Sequence, residues 1–368
     1  MAKPPQKENE KRLVQQIQKT RLTSAPEKKK PITLIPSGSA LLNLACSDKV
    51  RGAFQPGHMI NIIGDSNTGK SVLALSMLAE VAGRAEFDDY QLIYDDVEQA
   101  CTSGLINMFG ETLAKRIQSP AGDGNLEKCS DTIQDFRYNI LRAIDRKKPF
   151  IYVLDSFDAI TTDEDLERIE IVKKARMKQR QAKEKGSFRL SKPKIMSEML
   201  SEITRRVSQT KSFLVIISQT RDNINPMSFE KKVRSGGRAL KFYCSHEIWL
   251  MYMGKIAKDG KSIGSRVLIK ITKNKITGKR RAIQLSLYDG YGIDDVGSCV
   301  NFLVEEKFWP VIGPGKVHAP DFSYKSSETK LVRLIERHNQ ENQLRQCVQR
   351  SWNAIEDALK IDRKRRYT

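Results

Sequence analysis

The chain has 368 residues, 39% of them hydrophobic, so it can bury the core of one large α/β domain with appendages or of two domains. Its mean hydropathy of −0.49 and the lack of an apolar run of about 18 residues exclude a membrane protein. Six dispersed cysteines without a CxxC pair exclude a disulfide framework and a clustered zinc site. A net charge of +20 predicts a polyanionic partner.

The first 31 residues are polar and basic, with a helical pattern at Glu8–Thr20 and no apolar core of a signal peptide. We therefore interpret residues 1–31 as an N-terminal helical extension of a cytoplasmic protein. From residue 32 to residue 297, short apolar runs alternate with helical patterns, which is typical of βαβ units. The predicted strands are His58–Ile63, Gln91–Tyr94, Phe150–Leu154 and Ser212–Ser218, and the clearest helices are Ser71–Ala82 and Asp131–Asp145.

Later runs follow one another closely, which predicts antiparallel strands at one edge of a mostly parallel sheet: His246–Met253, Arg266–Ile271 and Ala282–Leu287. Residues 298–368 return to a helical pattern that we extend to Asp362, predicting a small C-terminal helical subdomain with a basic tail. The predicted fold class is therefore α/β. The segment Arg168–Lys194 interrupts the alternation, since it carries eleven Lys and Arg residues against two Glu residues. We interpret it as a basic insertion, residues 168–194, in the core.

The segment Gly64-Asp-Ser-Asn-Thr-Gly-Lys-Ser71 matches the pattern GxxxxGK[ST] between a predicted strand and a predicted helix. In this context the glycines allow the backbone amides to surround phosphates at a helix N-terminus. Lys70 is expected to contact the β- and γ-phosphates of ATP, and the Ser71 hydroxyl is expected to bind Mg²⁺. The predicted nucleotide-binding residues are Gly64, Asp65, Ser66, Asn67, Thr68, Gly69, Lys70, Ser71 and Val72.

Carboxylates follow two further predicted strands. Asp155 ends the apolar run Phe150–Leu154, as expected of a Walker B residue that holds magnesium, although an Asp at a strand end can also simply cap a turn. The run Gln91–Tyr94 leads into Asp95, Asp96 and Glu98. These residues lie on the side of a parallel sheet where ligands gather, and their chemistry alone does not choose among them.

Two segments narrow the class of protein. Ser218-Gln-Thr-Arg221 and Gly236-Gly-Arg-Ala-Leu-Lys-Phe-Tyr243 resemble the bacterial RecA family, in which a strand ends in Gln, a DNA-binding loop follows, and GG-x-ALKFY comes next at the same spacing. Lys273-Asn-Lys275 and Leu287–Ile293 resemble later segments of the family. Ile35–Ser39 is similar to the segment that precedes the family's P-loop. The resemblance covers Ile32 to Glu305 and implies a RecA-like P-loop ATPase core.

The resemblance also implies roles for single residues. Glu98 matches the catalytic glutamate, which together with Lys70 and Gln219 forms the predicted catalytic set. Gln219 matches the residue that senses the γ-phosphate and couples it to the DNA loop. Lys273 and Lys275 match lysines that reach the ATP of a neighbouring subunit, which implies a helical filament with ATP at subunit interfaces. The extension of residues 1–31 is then a candidate polymerisation segment.

The expected partners are single-stranded and duplex DNA, because the loop of residues 220–237 and the basic insertion would form an electrostatic groove for phosphates. The resemblance implies that Arg221, Gly236 and Gly237 lie at the DNA, and charge adds the remaining cations. The predicted DNA-binding residues are Arg221, Lys231, Lys232, Arg234, Gly236, Gly237, Arg238, Lys173, Lys174 and Arg176.

Three departures point to a divergent branch, such as a phage recombinase in an infected bacterial cytoplasm. The family's adenine-stacking aromatic residue is replaced near Leu105, the insertion is long, and the chain ends in basic rather than acidic residues. The resemblance implies a DNA-dependent ATPase that forms a filament on single-stranded DNA and promotes homologous pairing and strand exchange. Two other functions remain open: a hexameric helicase with the same core, and a recombination mediator that binds ATP and DNA with little turnover.

Overall fold

The computed structural model describes residues 33–99, 108–121, 129–177, 191–223, 232–235 and 237–364. Within these residues the largest element is a ten-stranded sheet, and from Leu34 onward the chain forms one compact unit. The predicted N-terminal helix, the middle of the insertion (residues 178–190), the position near Leu105 and the last four residues lie outside the described part of the chain.

The strands of the parallel half of the sheet are β1 (Met59–Gly64), β2 (Gln91–Asp96), β3 (Ile117–Gln118), β4 (Phe150–Asp155), β5 (Phe213–Asp222) and the first part of β7 (His246–Lys258). Their order in the sheet is β3-β2-β4-β5-β1-β7. Neighbouring parallel strands need helical crossovers, which place helices on both faces and bury every residue of β1 and β4. The carboxyl ends of all these strands therefore lie together, at the same end of the sheet.

Helices cover the two faces of this sheet in separate apolar clusters. Leu75 and Leu78 pack in one cluster, and Phe136 and Ile203 pack in the other. No helix among the described residues is both long enough and apolar enough to cross a bilayer. The helices of the core are α1 (Ala40–Ser47), α2 (Lys70–Ala82), α3 (Glu111–Arg116), α4 (Ile133–Asp145), α5 (Asp163–Met177), α6 (Ser191–Gln209) and α7 (Gly237–Tyr243), with a 3-10 turn at Ala85–Phe87.

The predicted antiparallel edge is present and longer than expected. Strand β7 continues into a hairpin whose two turn residues, Asp259 and Gly260, both have positive φ angles (50° and 76°), the geometry that Asp-Gly favours. The edge consists of β8 (Lys261–Asn274), β9 (Ala282–Tyr288) and β10 (Gly292–Asp294).

The segment predicted as the loop of residues 220–237 starts and ends as a hairpin. Strand β6 (Lys232–Arg234) pairs antiparallel with the end of β5, with Asp222 opposite Lys232 and Thr220 opposite Arg234. The sequence pattern favoured a loop because β6 has only three residues, too few to show an alternation.

The C-terminal region contains a small sheet that the sequence analysis missed. The sequence pattern predicted helices from Gly297 to Asp362, whereas three strands of three or four residues separate the helices. Such short strands carry no recognisable period. The elements are α8 (Asp295–Glu305), β11 (Val311–Gly313), β12 (Lys316–Ala319), a 3-10 turn (Pro320–Phe322), β13 (Tyr324–Ser326), α9 (Glu328–Arg337) and α10 (Glu341–Ala358).

An ion-pair cluster attaches α10 to the sheet. Arg281 donates two hydrogen bonds to Glu356, at 2.5 and 2.7 Å, and Lys279 lies 2.8 Å from the same carboxylate. Lys279 also donates to Asp48 at 2.6 Å, and the Trp352 indole donates to Asp48 at 3.1 Å. The hydrogen bond from Arg281 is the main cause that lowers the pKa of Glu356 to about 2.

We expect Glu356→Gln to lower the free energy of unfolding by about 1–3 kcal/mol at pH 7, since two cations then lose their charged partner. The folded pKa lies below the unfolded value of about 4.3, so this stability is present above that value and is lost as the pH falls toward 2. Urea unfolding at pH 7, 5 and 3 measures it, with the exposed Glu306→Gln as the control. A loss of equal size at pH 3 and pH 7 would contradict the assignment.

Candidate functional site

The P-loop connects β1 to α2 and requires its glycines. Gly69 precedes α2 with a φ of 85°, and a Cβ atom there would lie 2.5 Å from Leu287 Cδ1. A Cβ on Gly64 would lie 2.6 Å from Thr68 Oγ1 and 2.9 Å from Leu250 O. The loop therefore forms a close cradle at the N-terminus of a 13-residue helix, where backbone amides and the helix dipole favour phosphates.

Lys70 lies in this cradle among carboxylates. Its Nζ atom donates to the carbonyl oxygen of Asp65 at 2.7 Å, and Thr68 Oγ1 donates to the same oxygen at 2.8 Å. Burial lowers the pKa of Lys70, and the nearby carboxylates of Asp155 and Glu98 oppose that shift. A phosphate bound in the cradle would compete with the Asp65 carbonyl for this ammonium group.

The residues predicted to hold Mg²⁺ lie together. The Ser71 hydroxyl hydrogen-bonds to Asp155, and the Tyr94 hydroxyl donates to Asp155 Oδ2 at 2.7 Å. Burial raises the pKa of Asp155, and these two hydrogen bonds oppose it. The described residues contain no group of three or more His, Cys, Asp or Glu that could hold a metal. A hydroxyl and one carboxylate fit Mg²⁺, which takes its other ligands from phosphates and water.

The three carboxylates left open by the sequence occupy different environments. Asp95 is fully buried and accepts hydrogen bonds from Ser130 N at 2.8 Å, Ser130 Oγ at 2.6 Å and Tyr152 Oη at 2.6 Å. Asp96 is also buried. Glu98 accepts hydrogen bonds from Ser156 Oγ and, at 3.3 Å, from Gln219 Nε2. Glu98 therefore lies in contact with Gln219.

Carboxylates hold the described cations of the hairpin. Asp158 accepts from Gln219 N at 2.8 Å, Arg221 at 3.2 Å and Ser235 Oγ. Lys232 pairs with Asp65, and Arg234 pairs with Glu247. The sequence analysis missed Asp158. The only signal was a second Asp three residues after Asp155, and nothing local assigned it to the hairpin.

The remaining predicted DNA-binding residues are described in part. Lys173 and Lys174 are exposed on α5, where Lys174 lies 3.6 Å from Glu170. Because α5 follows β4 and the hairpin ends β5, both leave the sheet at the carboxyl ends of neighbouring strands. Gly237 begins α7. Lys231, Gly236 and the side chains of Arg176 and Arg238 lie outside the described residues.

Lys273 and Lys275 lie at the amino ends of the parallel strands, whereas the P-loop follows the carboxyl end of β1. In the pairing of β7 with β8, Lys273 lies opposite Glu247, at the start of β7 and next to the amino end of β1. Lys275 N donates to Ser245 O at 3.0 Å. The Lys273 ammonium donates to Lys241 O and, at 3.1 Å, to Phe242 O. At about 3.3 Å per residue, the length of β1 separates these lysines from the P-loop of their own chain.

The parallel sheet, the P-loop and the acidic end of β4 define this chain as a P-loop nucleotide-binding core. The model of the RecA N-terminal domain matches residues 10–294. The chain therefore belongs to the RecA family, as the sequence resemblance predicted.

The relatives are distant. The chain is 26% identical to Protein RecA of Lactobacillus acidophilus over 298 residues, covering 80% of this chain and 71% of the relative. It is 26% identical to Protein RecA of Caldanaerobacter subterraneus subsp. tengcongensis over 326 residues, covering 84% and 85%. It is 28% identical to Protein RecA of Corynebacterium urealyticum over 332 residues, covering 86% and 80%.

Proposed function

We propose that this protein is a DNA-dependent ATPase that forms a filament on single-stranded DNA and promotes homologous pairing and strand exchange. The observation that carries the proposal is the position of Gln219. Its side chain contacts Glu98 beside the P-loop, and its strand continues directly into the basic hairpin. A change at the γ-phosphate and a change at the hairpin therefore act on the same residue.

The nucleotide site supports ATP hydrolysis with Mg²⁺. The P-loop amides and Lys70 would bind the phosphates, while Ser71 and Asp155 would hold the ion, which supplies charge neutralisation when bound. In this proposal Glu98 orients and deprotonates a water molecule, and its hydrogen bonds with Ser156 and Gln219 support that role.

The positions of Lys273 and Lys275 support a filament. A lysine pair at the amino ends of the parallel strands is remote from its own P-loop, so any nucleotide that it contacts belongs to another subunit. A contact between the P-loop of one subunit and the lysine pair of the next joins two different surfaces, so it is heterologous and repeats into a ring or a helix. We propose the helix, with ATP at each interface.

Phosphate release with and without single-stranded DNA tests the function, because we expect turnover to require DNA. Negative-stain images with DNA and a non-hydrolysable ATP analogue test the assembly. Rings would favour the hexameric helicase. Filaments or DNA binding without turnover in either condition would favour the mediator.

The insertion supplies the second part of the proposed DNA surface. Replacing Lys173, Lys174 and Arg176 by Ser should flatten the dependence of log affinity on log salt by about 2, at about 0.7 per lost single-strand contact. Fluorescence anisotropy with a labelled oligonucleotide measures this slope. Lys147→Ser with Lys148→Ser removes exposed charge just before the amino end of β4, away from the proposed DNA surface, and serves as the control. An unchanged slope in the insertion variant would mean that α5 is only a solvated helix.

A further inference from the structure

Asp65, the second residue of the P-loop, connects that loop to both strands of the basic hairpin. Thr220 Oγ1 on β5 donates to Asp65 Oδ1, and Lys232 Nζ on β6 donates to Asp65 Oδ2. The main-chain carbonyl of Asp65 accepts from Lys70 Nζ at 2.7 Å. One residue thus contacts the phosphate-binding lysine through its backbone and the hairpin through its side chain.

The contact between Asp65 and Lys232 can exchange readily. Both side chains are about half exposed, at 50% and 48%, and ion pairs in such positions contribute little to stability. The hydrogen bond from Lys232 is the main cause that lowers the pKa of Asp65, so the carboxylate is charged at neutral pH. Thr220 adds a second hydrogen bond that directs this charge toward the hairpin.

A second anchor keeps β6 in place when Lys232 moves. Arg234, two residues along the strand, pairs with Glu247, and both side chains are nearly buried, at 10% and 5% exposure. Ser235 donates to Asp158 beside it. Loss of the Asp65 contact therefore frees the Lys232 side chain without detaching the strand.

We propose that Asp65 is a positioning residue that makes DNA binding by the hairpin depend on the nucleotide, because it retains Lys232 until phosphates enter the P-loop. The inference rests on the proposed function. A bound triphosphate would compete with the Asp65 carbonyl for the Lys70 ammonium and would place negative charge beside the Asp65 carboxylate. Both effects disfavour the present position of Asp65, and the released Lys232 can then bind a DNA phosphate. By linkage, DNA that holds Lys232 should tighten nucleotide binding by the same factor.

The test is a double-mutant cycle on the salt dependence of DNA affinity. Wild type, Asp65→Asn, Lys232→Gln and the double variant are each titrated with labelled oligo(dT), without nucleotide and with a saturating non-hydrolysable ATP analogue plus Mg²⁺. Without nucleotide, Asp65→Asn should steepen the slope of log affinity against log salt by about 0.7 per protomer, one added phosphate contact. Wild type should reach that slope only with the analogue.

Matched variants isolate the lysine. The double variant should lack the gain, because the cation that supplies it is absent. Asp89→Asn removes another exposed carboxylate elsewhere and should leave both slopes unchanged. A fluorescent nucleotide titration establishes that Asp65→Asn still binds nucleotide and is therefore folded.

The outcomes separate the two levels of the argument. A wild-type affinity for DNA that does not respond to the analogue would contradict the proposed function itself. A normal response in wild type, with an Asp65→Asn slope equal to the wild-type slope in the absence of nucleotide, would overturn the role of Asp65 alone. Equal steepening by Asp65→Asn in the Lys232→Gln background would also overturn it, since the effect would then be one of general charge.

Discussion

Replacing Glu98 by Gln should stop ATP turnover while leaving ATP binding intact. The amide keeps the shape of the side chain and can still hydrogen-bond to Ser156 and Gln219, but it cannot accept a proton from water. A positioned general base contributes about 10²–10⁴-fold, so DNA-stimulated phosphate release should fall by that factor. The variant should remain on single-stranded DNA in the presence of ATP, and anisotropy with a labelled oligonucleotide measures this retention.

Two further variants frame this result. Lys70→Ala should lose both hydrolysis and tight nucleotide binding, because it removes the ammonium group that lies at the phosphate-binding loop next to α2. Glu86→Gln removes an exposed carboxylate away from the cradle and should behave as wild type. Wild-type turnover by Glu98→Gln would show that another group activates the water.

Replacing Lys273 and Lys275 together by Ala should abolish DNA-stimulated hydrolysis, by about 10²-fold or more, in a chain whose own P-loop is intact. Mixing this variant with Glu98→Gln should restore activity. In a random equal mixture, about one quarter of the heterologous interfaces join an intact Glu98 to an intact lysine pair. Phosphate release by the mixture, compared with that of each variant alone, measures the rescue.

The control pair is Lys255→Ala with Lys258→Ala, which removes two exposed lysines from the far end of β7, the strand that pairs with the Lys273 strand β8. It should retain the wild-type rate alone and gain nothing from mixing beyond the sum of the two proteins. Absence of rescue in filaments shown to contain both variants would contradict nucleotide sites shared between subunits.

The sequence predicted the architecture because its signals are local. Apolar runs such as Phe150–Leu154 are long enough to be recognised as buried strands, and the P-loop glycines have a stereochemical requirement that the sequence states directly. Sequence pattern also predicted the antiparallel edge, since its strands follow one another with short turns.

The hairpin contacts could not be predicted in the same way. The carboxylates that hold it, Asp65, Asp158 and Glu247, come from three different strand ends or loops, and they meet only in the folded sheet. A count of Lys and Arg therefore treated Arg221, Lys232 and Arg234 as free cations, whereas each has an acidic partner. Pairing across more than a dozen residues has no signature in a single sequence.

The separation of the P-loop from Lys273 and Lys275 has a consequence for the ends of the proposed filament. A chain of n subunits would contain n − 1 complete nucleotide sites, because one terminal subunit presents lysines to no neighbour and the other has a P-loop that receives none. A monomer would then be inactive, and the rate per subunit would rise with filament length toward a plateau. Hydrolysis on short oligonucleotides should accordingly be slower per bound protein than on long ones, and it should depend on protein concentration more steeply than the first power.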